Sequence, residues 1–170
     1  MLKKLYIMIG PAGSGKTTWV RNHAKPGKSA HISRDEIRFS MVGEDEYYFS
    51  KENEVYVEYC KEIHDALHCP WVEEVYADAT HLNKKSRERL IKEIYISPEW
   101  VEIHAIVIMP TLTTCLAQNA FRSGRERVPE TVICNMYNGY QNPYLDDINY
   151  SYIEENGMTL TEAITTPKRR

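Results

Sequence analysis

The segment Gly10-Pro11-Ala12-Gly13-Ser14-Gly15-Lys16-Thr17 constrains this chain more than any other feature. It fits the pattern G-x-x-x-x-G-K-[ST] and follows a continuous apolar run, residues 5–9, which reads as a buried parallel strand. Glycines let the backbone turn its N–H groups inward around phosphate oxygens, and a helix starting near Gly15 adds the positive end of its dipole. Gly10, Ala12, Gly13, Ser14, Gly15, Lys16, Thr17 and Thr18 are therefore the expected phosphate-binding set. Lys16 is expected at the β- and γ-phosphates of ATP or another nucleoside triphosphate, with the Thr17 hydroxyl on a magnesium ion. The loop is silent about what receives the phosphoryl group.

Beyond the loop, short apolar runs alternate with helical periodicity. Strands are expected at residues 29–32, 72–77 and 101–109, and a weaker alternation suggests a fifth at 148–153. The first helix should end at Lys25-Pro26-Gly27, and Ser33-Arg34-Asp35-Glu36 reads as a capping box opening the next. Residues 50–67 carry Val55, Tyr59, Ile63 and Leu67 at helical spacing. Asn83 caps a helix over 84–95, Pro110-Thr111 starts another to about 121, and Pro129 sits at the first position of one reaching about 140. This order predicts an α/β fold, a P-loop NTPase with a central, mainly parallel sheet of about five strands flanked by helices. No repeat or linker divides residues 1–170, so one domain is expected, with 158–170 its least patterned part.

Ligands of such sheets bind at the carboxyl ends of the strands, which directs attention to three places. Asp35 and Arg38 share a face at the start of a helix. There the carboxylate can take the proton of an attacking hydroxyl and the guanidinium can fork onto an acceptor phosphate, although an acid near a helix N-terminus also serves the dipole alone. Asp78 ends the third strand, where it can support a magnesium shell, orient an acceptor or merely cap a turn. Arg122, Arg125 and Arg127 cluster around Gly124 in a turn over about 122–128, suited to a lid that neutralises the transferring group; a solvated charge run is the plainer alternative.

Composition narrows the classes further. No apolar stretch approaches the roughly 20 residues of a membrane span, and the N-terminus lacks a cleavage-site pattern, so a cytoplasmic protein without membrane association is expected. The four cysteines match no C-x-x-C spacing. Cys60, His64 and His68 align on one helical face, yet a single straight helix seldom wraps three ligands around zinc, and an ordinary helix face is the expectation.

The same motifs resemble those of the P-loop 5′-hydroxyl polynucleotide kinases, the kinase module of phage and bacterial end-healing enzymes. The resemblance runs through the phosphate loop, through Ser33-Arg34-Asp35-Glu36-Ile37-Arg38, through Asp78-Ala79-Thr80-His81-Leu82-Asn83, and through Arg122-Ser123-Gly124-Arg125-Glu126-Arg127-Val128-Pro129. It implies an adenylate-kinase-like fold and transfer from ATP, with magnesium, to the 5′-hydroxyl end of DNA or RNA. Asp35 would be the general base, Arg38 would grip the acceptor strand's phosphate, Asp78 would support the acceptor site, and Arg122 or Arg125 would contact the donor. Many relatives continue into a phosphatase domain, so a kinase-only protein is implied. The residues themselves also allow a kinase of a small-molecule hydroxyl, or a nucleotide-dependent switch, and leave the oligomeric state open.

A formal net charge of −3 argues against a protein that coats nucleic acid by bulk charge. That sum hides unlike parts. Residues 1–34 hold seven basic and no acidic side chains, whereas 35–78 hold three basic and thirteen acidic, so local grip on a strand end stays open.

Overall fold

Strand β1, Lys3–Ile9, is apolar on both faces and takes the centre of the sheet. Leu5, Ile7 and Ile9 are wholly buried on one side and Met8 on the other, as a central parallel strand requires. In this computed structural model, which describes residues 2–97 and 99–156, β2 (Ser29–Ser33), β3 (Glu74–Asp78), β4 (Val101–Val107) and β5 (Tyr152–Glu155) complete the sheet in the order β2-β3-β1-β4-β5. Every neighbouring pair is parallel. The helices are α1 (Lys16–His23), α2 (Arg34–Met41), α3 (Glu52–His68), α4 (Lys84–Glu93), α5 (Leu112–Ala120) and α6 (Glu130–Asn138). The chain leaves β1 for one side of the sheet and later returns to fill the other, so a crevice opens at the carboxyl end of β1.

The main core lies on the side of Leu5, Ile7 and Ile9. There α3 sets Val55, Tyr59, Ile63 and Leu67 against β3 residues Val75 and Ala77, and α4 adds Leu90. Each such burial contributes about 1.5–3 kcal/mol. On the other side Met8, Tyr76 and Ile106 meet Val20 and Trp19 of α1, and Tyr6 stacks on Tyr76 with centroids 4.7 Å apart. Among the described residues no helix is long and apolar enough to cross a membrane.

The largest departure from the expected elements is at β5, which lies at Tyr152–Glu155 rather than 148–153. Ile148 and Tyr150 alternate because both pack on the core from a bent segment, and pairing begins only after the Ser151 N–H reaches the Ile103 carbonyl at 2.8 Å. The third strand starts at Glu74 and the fourth ends at Val107, each two residues short of the apolar run. Pro129 is the N-cap of α6, not its first residue. Ser33 caps α2 by accepting from the Glu36 N–H at 3.3 Å, but among the described residues the return bond from the Glu36 carboxylate is not made. The segment from 158 onward lies outside the described residues.

One buried ion pair fixes the chain between α6 and β5. Arg87 of α4 donates to both carboxylate oxygens of Asp146 at 2.6 and 2.7 Å, and to the His81 and Gln141 carbonyls at 2.9 Å, while the Tyr150 hydroxyl donates to Asp146 at 2.7 Å. Neither side chain of the pair is exposed. Removing one partner strands the other's charge in the interior. Arg87→Ala is therefore expected to lower unfolding free energy by about 3–5 kcal/mol in urea titrations at neutral pH; a loss near zero would show that the pair is not a structural tie.

Candidate active site

The turn out of β1 requires two close backbone approaches. A Cβ at Gly10 would strike the Ile108 carbonyl oxygen, and one at Gly13, where φ is +76°, would strike that of Cys115. Only glycine satisfies both, which is why the loop can fold its N–H groups inward. Beneath it, the Gly10 N–H donates to the Thr80 carbonyl at 3.0 Å. His81 donates through Nδ1 to the Met8 carbonyl at 2.9 Å, leaving Nε2 to accept from the Tyr59 hydroxyl at 3.3 Å. Burial outweighs the Met8 bond and lowers the His81 pKa to about 4, so the ring under the loop is neutral.

Lys16 and Thr17 open α1 immediately after the loop, with Thr18 exposed behind them. Lys16 is buried and donates to the Pro11 carbonyl at 2.9 Å and weakly to Ser14 Oγ at 3.5 Å. Burial pushes its pKa down, Asp78 and Asp35 push it back up, and Arg122 lowers it. Asp78, Asp35 and Arg122, all expected at the site from sequence, are thus within electrostatic reach of Lys16.

Asp78, 5% exposed, is the hub. Its Oδ2 accepts from the Thr17 hydroxyl at 2.8 Å and from His31 Nε2 at 2.9 Å. Burial alone would raise the Asp78 pKa, but His31, Lys16 and Thr17 together hold it below the ordinary value. A hydroxyl beside a charged carboxylate is a hard-oxygen donor set that fits magnesium, which takes one or two protein carboxylates and completes its shell with phosphates and water. Among the described residues no group of three or more His, Cys, Asp or Glu is placed to hold a metal by itself. Cys60 is buried on α3, and the rings of His64 and His68 lie tilted against each other with centroids 4.1 Å apart.

On the other bank, Asp35 stands in the first turn of α2 with its side chain 68% exposed. Arg38 and the Tyr48 hydroxyl both donate to it, the latter at 3.3 Å. Arg38 itself is buried and committed: it forks onto Glu52 with two bonds of 3.0 Å and also meets Tyr48 at 3.3 Å. Arg34 adds a further bond to Glu52. The structure thus makes Arg38 the holder of Asp35 and of the first turn of α3.

The arginine turn is closed at its base by Asn119, whose amide accepts from the Val128 N–H at 3.0 Å and donates to the Val128 carbonyl at 2.7 Å. Inside it, a short 3-10 turn spans Gly124–Glu126. The two arginines that sequence could not separate have different surroundings. Arg122 acts on Lys16 electrostatically, whereas Arg125 donates to the Val42 carbonyl at 2.9 Å and lies over the rings of Phe39 and Tyr48 at 5.1 and 5.7 Å.

Sequence reasoning missed His31, Glu52, Tyr48 and Asn119. A histidine two residues before the end of a strand, in the run His31-Ile32-Ser33, was the only signal for the first. The arrangement as a whole can bind a polyphosphate between the loop and Arg122, and presents an exposed carboxylate across the crevice.

Residues 5–143 match a family model described as an AAA domain. No curated protein matches the sequence. Among solved structures, a chain of the Pnkp1/Rnl/Hen1 RNA repair complex superposes with a TM-score of 0.65 at 18% identity, covering 81% of this chain and 44% of that one. A fungal RNA kinase gives 0.61 at 16%, covering 93% and 79%, and a gluconokinase from Sinorhizobium meliloti 1021 gives 0.55 at 13%, covering 89% and 83%. This chain therefore spans less than half the length of the first of these. Likeness at such identities establishes the fold, an adenylate-kinase-like P-loop NTPase.

The neutral His81 has a consequence for stability. Its folded pKa lies below the ordinary 6.5, so the unfolded chain binds a proton between pH 6.5 and about 4 that the folded chain refuses, and stability falls as pH drops through that window. His104, also lowered by burial, acts in the same direction. The difference in urea midpoint between pH 7 and pH 5 is expected to shrink in His81→Gln. An unchanged difference would clear His81 of the effect.

Proposed function

We propose, from the premise that the chain belongs to the AAA domain family, that it is a kinase transferring the γ-phosphoryl group of ATP to the 5′-hydroxyl end of a polynucleotide. The observation that carries this reading is the exposed Asp35 carboxylate, held by Arg38 and Tyr48 across the crevice from the Lys16–Thr17–Asp78 cluster and close enough to oppose the fall that burial imposes on the Lys16 pKa. A nucleotide-dependent switch has no need of such a base.

In the proposed reaction the loop N–H groups and Lys16 hold the donor phosphates, Lys16 exchanging its bond to Pro11 for phosphate oxygen. The acceptor hydroxyl oxygen forms a bond to the γ-phosphorus while the bond from that phosphorus to the β–γ bridging oxygen breaks, releasing ADP. Asp35 takes the hydroxyl proton. Arg122 offsets charge on the equatorial oxygens. Thr17 and Asp78 would hold magnesium, which when bound neutralises charge on the β- and γ-oxygens. His31 positions Asp78, and Arg38 positions Asp35, reaching an acceptor phosphate only by exchanging Glu52.

A polynucleotide acceptor is supported by the motif resemblance and by likeness to a chain of an RNA repair complex and to an RNA kinase. The likeness to a gluconokinase favours a second reading, a small-molecule hydroxyl. Labelled phosphate transfer to 5′-OH oligonucleotides, compared with transfer to nucleosides and sugars, separates them; preference for the small acceptors would overturn the first.

Asp35→Ala is expected to abolish transfer, a loss of at least about a hundredfold, with ATP affinity nearly intact by calorimetry. Near wild-type transfer would remove Asp35 as the base. His31→Ala frees one of the two bonds on Asp78 Oδ2 and is expected to raise the magnesium concentration for half-maximal transfer roughly tenfold, as loss of a metal ligand's supporting partner does. An unmoved magnesium dependence would leave His31 without a part in the site.

A further inference from the structure

The segment between α2 and α3 carries an aromatic surface that the chemistry above does not use. Tyr47 and Phe49 are 74% and 50% exposed and meet edge to face at 5.9 Å. Phe49 packs on Tyr48 at 4.9 Å, and Tyr48 on Phe39 at 5.8 Å. Arg38 underlies Tyr48 and Phe49 at 4.9 and 5.3 Å, and Arg125 lies over Phe39 and Tyr48. Among the described residues Trp71, Tyr95 and Phe121 are exposed to a similar degree, but no other ring joins them. A contiguous exposed apolar patch marks a binding surface, whereas scattered ones do not.

Its position says what it binds. The Tyr48 hydroxyl donates to Asp35, so the patch begins at the carboxylate that would receive the acceptor's proton. Glu44, Asp45 and Glu46 border it, all exposed, with Glu46 paired to Lys51 at 3.1 Å. A phosphate backbone laid along that acidic edge would be repelled. An uncharged flat ring would not. Between this surface and the arginine turn lies a groove of about 560 Å³ lined by Phe39, Glu44, Gly124, Arg125 and Glu126, within the ~300–1,000 Å³ of small-ligand sites.

We propose that Tyr47 and Phe49 form a stacking platform for the nucleobase of the acceptor's 5′-terminal nucleotide, so that the site reads the end of the strand by its base rather than by its phosphates. This rests on the polynucleotide reading. Stacking of this kind tolerates any base, because every base has a π-face. The cations packed on the rings are held by protein carboxylate and carbonyl oxygens, so they shape the platform instead of gripping phosphate.

The test uses 5′-OH oligonucleotides with a normal or an abasic 5′-terminal nucleotide, with the full chain and its Tyr47→Ala, Phe49→Ala and Phe49→Trp variants. The wild-type KM is expected to be roughly 5- to 150-fold higher for the abasic acceptor, the range for losing one stacked base. Either alanine variant should raise KM for the base-bearing acceptor and leave KM for the abasic one unmoved, with Phe49→Trp retaining the discrimination. The salt dependence of KM should keep its slope in the alanine variants, because no phosphate contact is lost. Equal KM for the two acceptors in the wild type, or alanine variants that move both equally, would overturn the platform while leaving the kinase reading in place. Failure to phosphorylate any 5′-OH oligonucleotide would overturn the acceptor reading itself and the platform with it.

Discussion

Asp78 is a buried anion, and a buried anion without partners costs several kcal/mol. Its partners come from two other elements: the Thr17 hydroxyl at the start of α1 and the His31 ring on β2, both on the same Oδ2, with the Lys16 charge nearby. Three separate stretches of chain therefore meet at one oxygen. The pairing of Ser33 with Asp78 fixes how far β2 extends along β3, and the two glycine approaches fix where α1 begins. None of these can shift without stranding the carboxylate, so the sheet register and the phosphate loop are set by one constraint.

The opposite bank of the crevice repeats this logic with a cation. Arg38 has five N–H donors and makes four bonds with them, two to Glu52 and one each to Asp35 and Tyr48. Glu52 is in the first turn of α3, so the guanidinium locks α2 to α3 while Asp35 keeps an exposed carboxylate. Arg125 then ties the arginine turn to this same region through the Val42 carbonyl, 83 residues away in sequence. Any outward swing of that turn must break the bond and unstack Arg125 from Phe39. Arg122, three residues earlier, carries no such tether among the described residues, and its charge acts on Lys16.

What the sequence made legible was local. The loop motif, the Ser33 and Asn83 caps and the apolar stripe of α3 each depend on residues within a few positions of one another, and each lies where its pattern placed it. The alternation at 148–153 misled because core packing from a bent segment mimics the period of a strand. His31 and Asp78 are 47 residues apart and Arg87 and Asp146 are 59 apart. Such pairs are created by strand order and helix docking, for which one sequence holds no periodic signal. Arg122 and Arg125 stayed unseparated in sequence for the same reason: both have the right charge, and only the fold gives one of them Val42 and two aromatic rings.

Charge shows most clearly what folding rearranges. The basic stretch 1–34 and the acidic stretch 35–78 are segregated in sequence, yet the parallel pairing of β2 with β3 brings their ends together. Lys25 pairs with Glu74 at 2.6 Å and Lys28 with Glu73 at 2.7 Å, while Arg34 is taken up by Glu52. Three of the seven basic side chains at the N-terminus are thereby paired with acids of the second stretch. Positive charge is focused instead around Lys16 and Arg122, against the dipole at the start of α1. A focus that small suits the phosphates of one bound nucleotide. On the proposed reading, an acceptor strand near Asp35 meets the exposed Glu44, Asp45 and Glu46, and rings bordered by acid suit a nucleobase better than a phosphate.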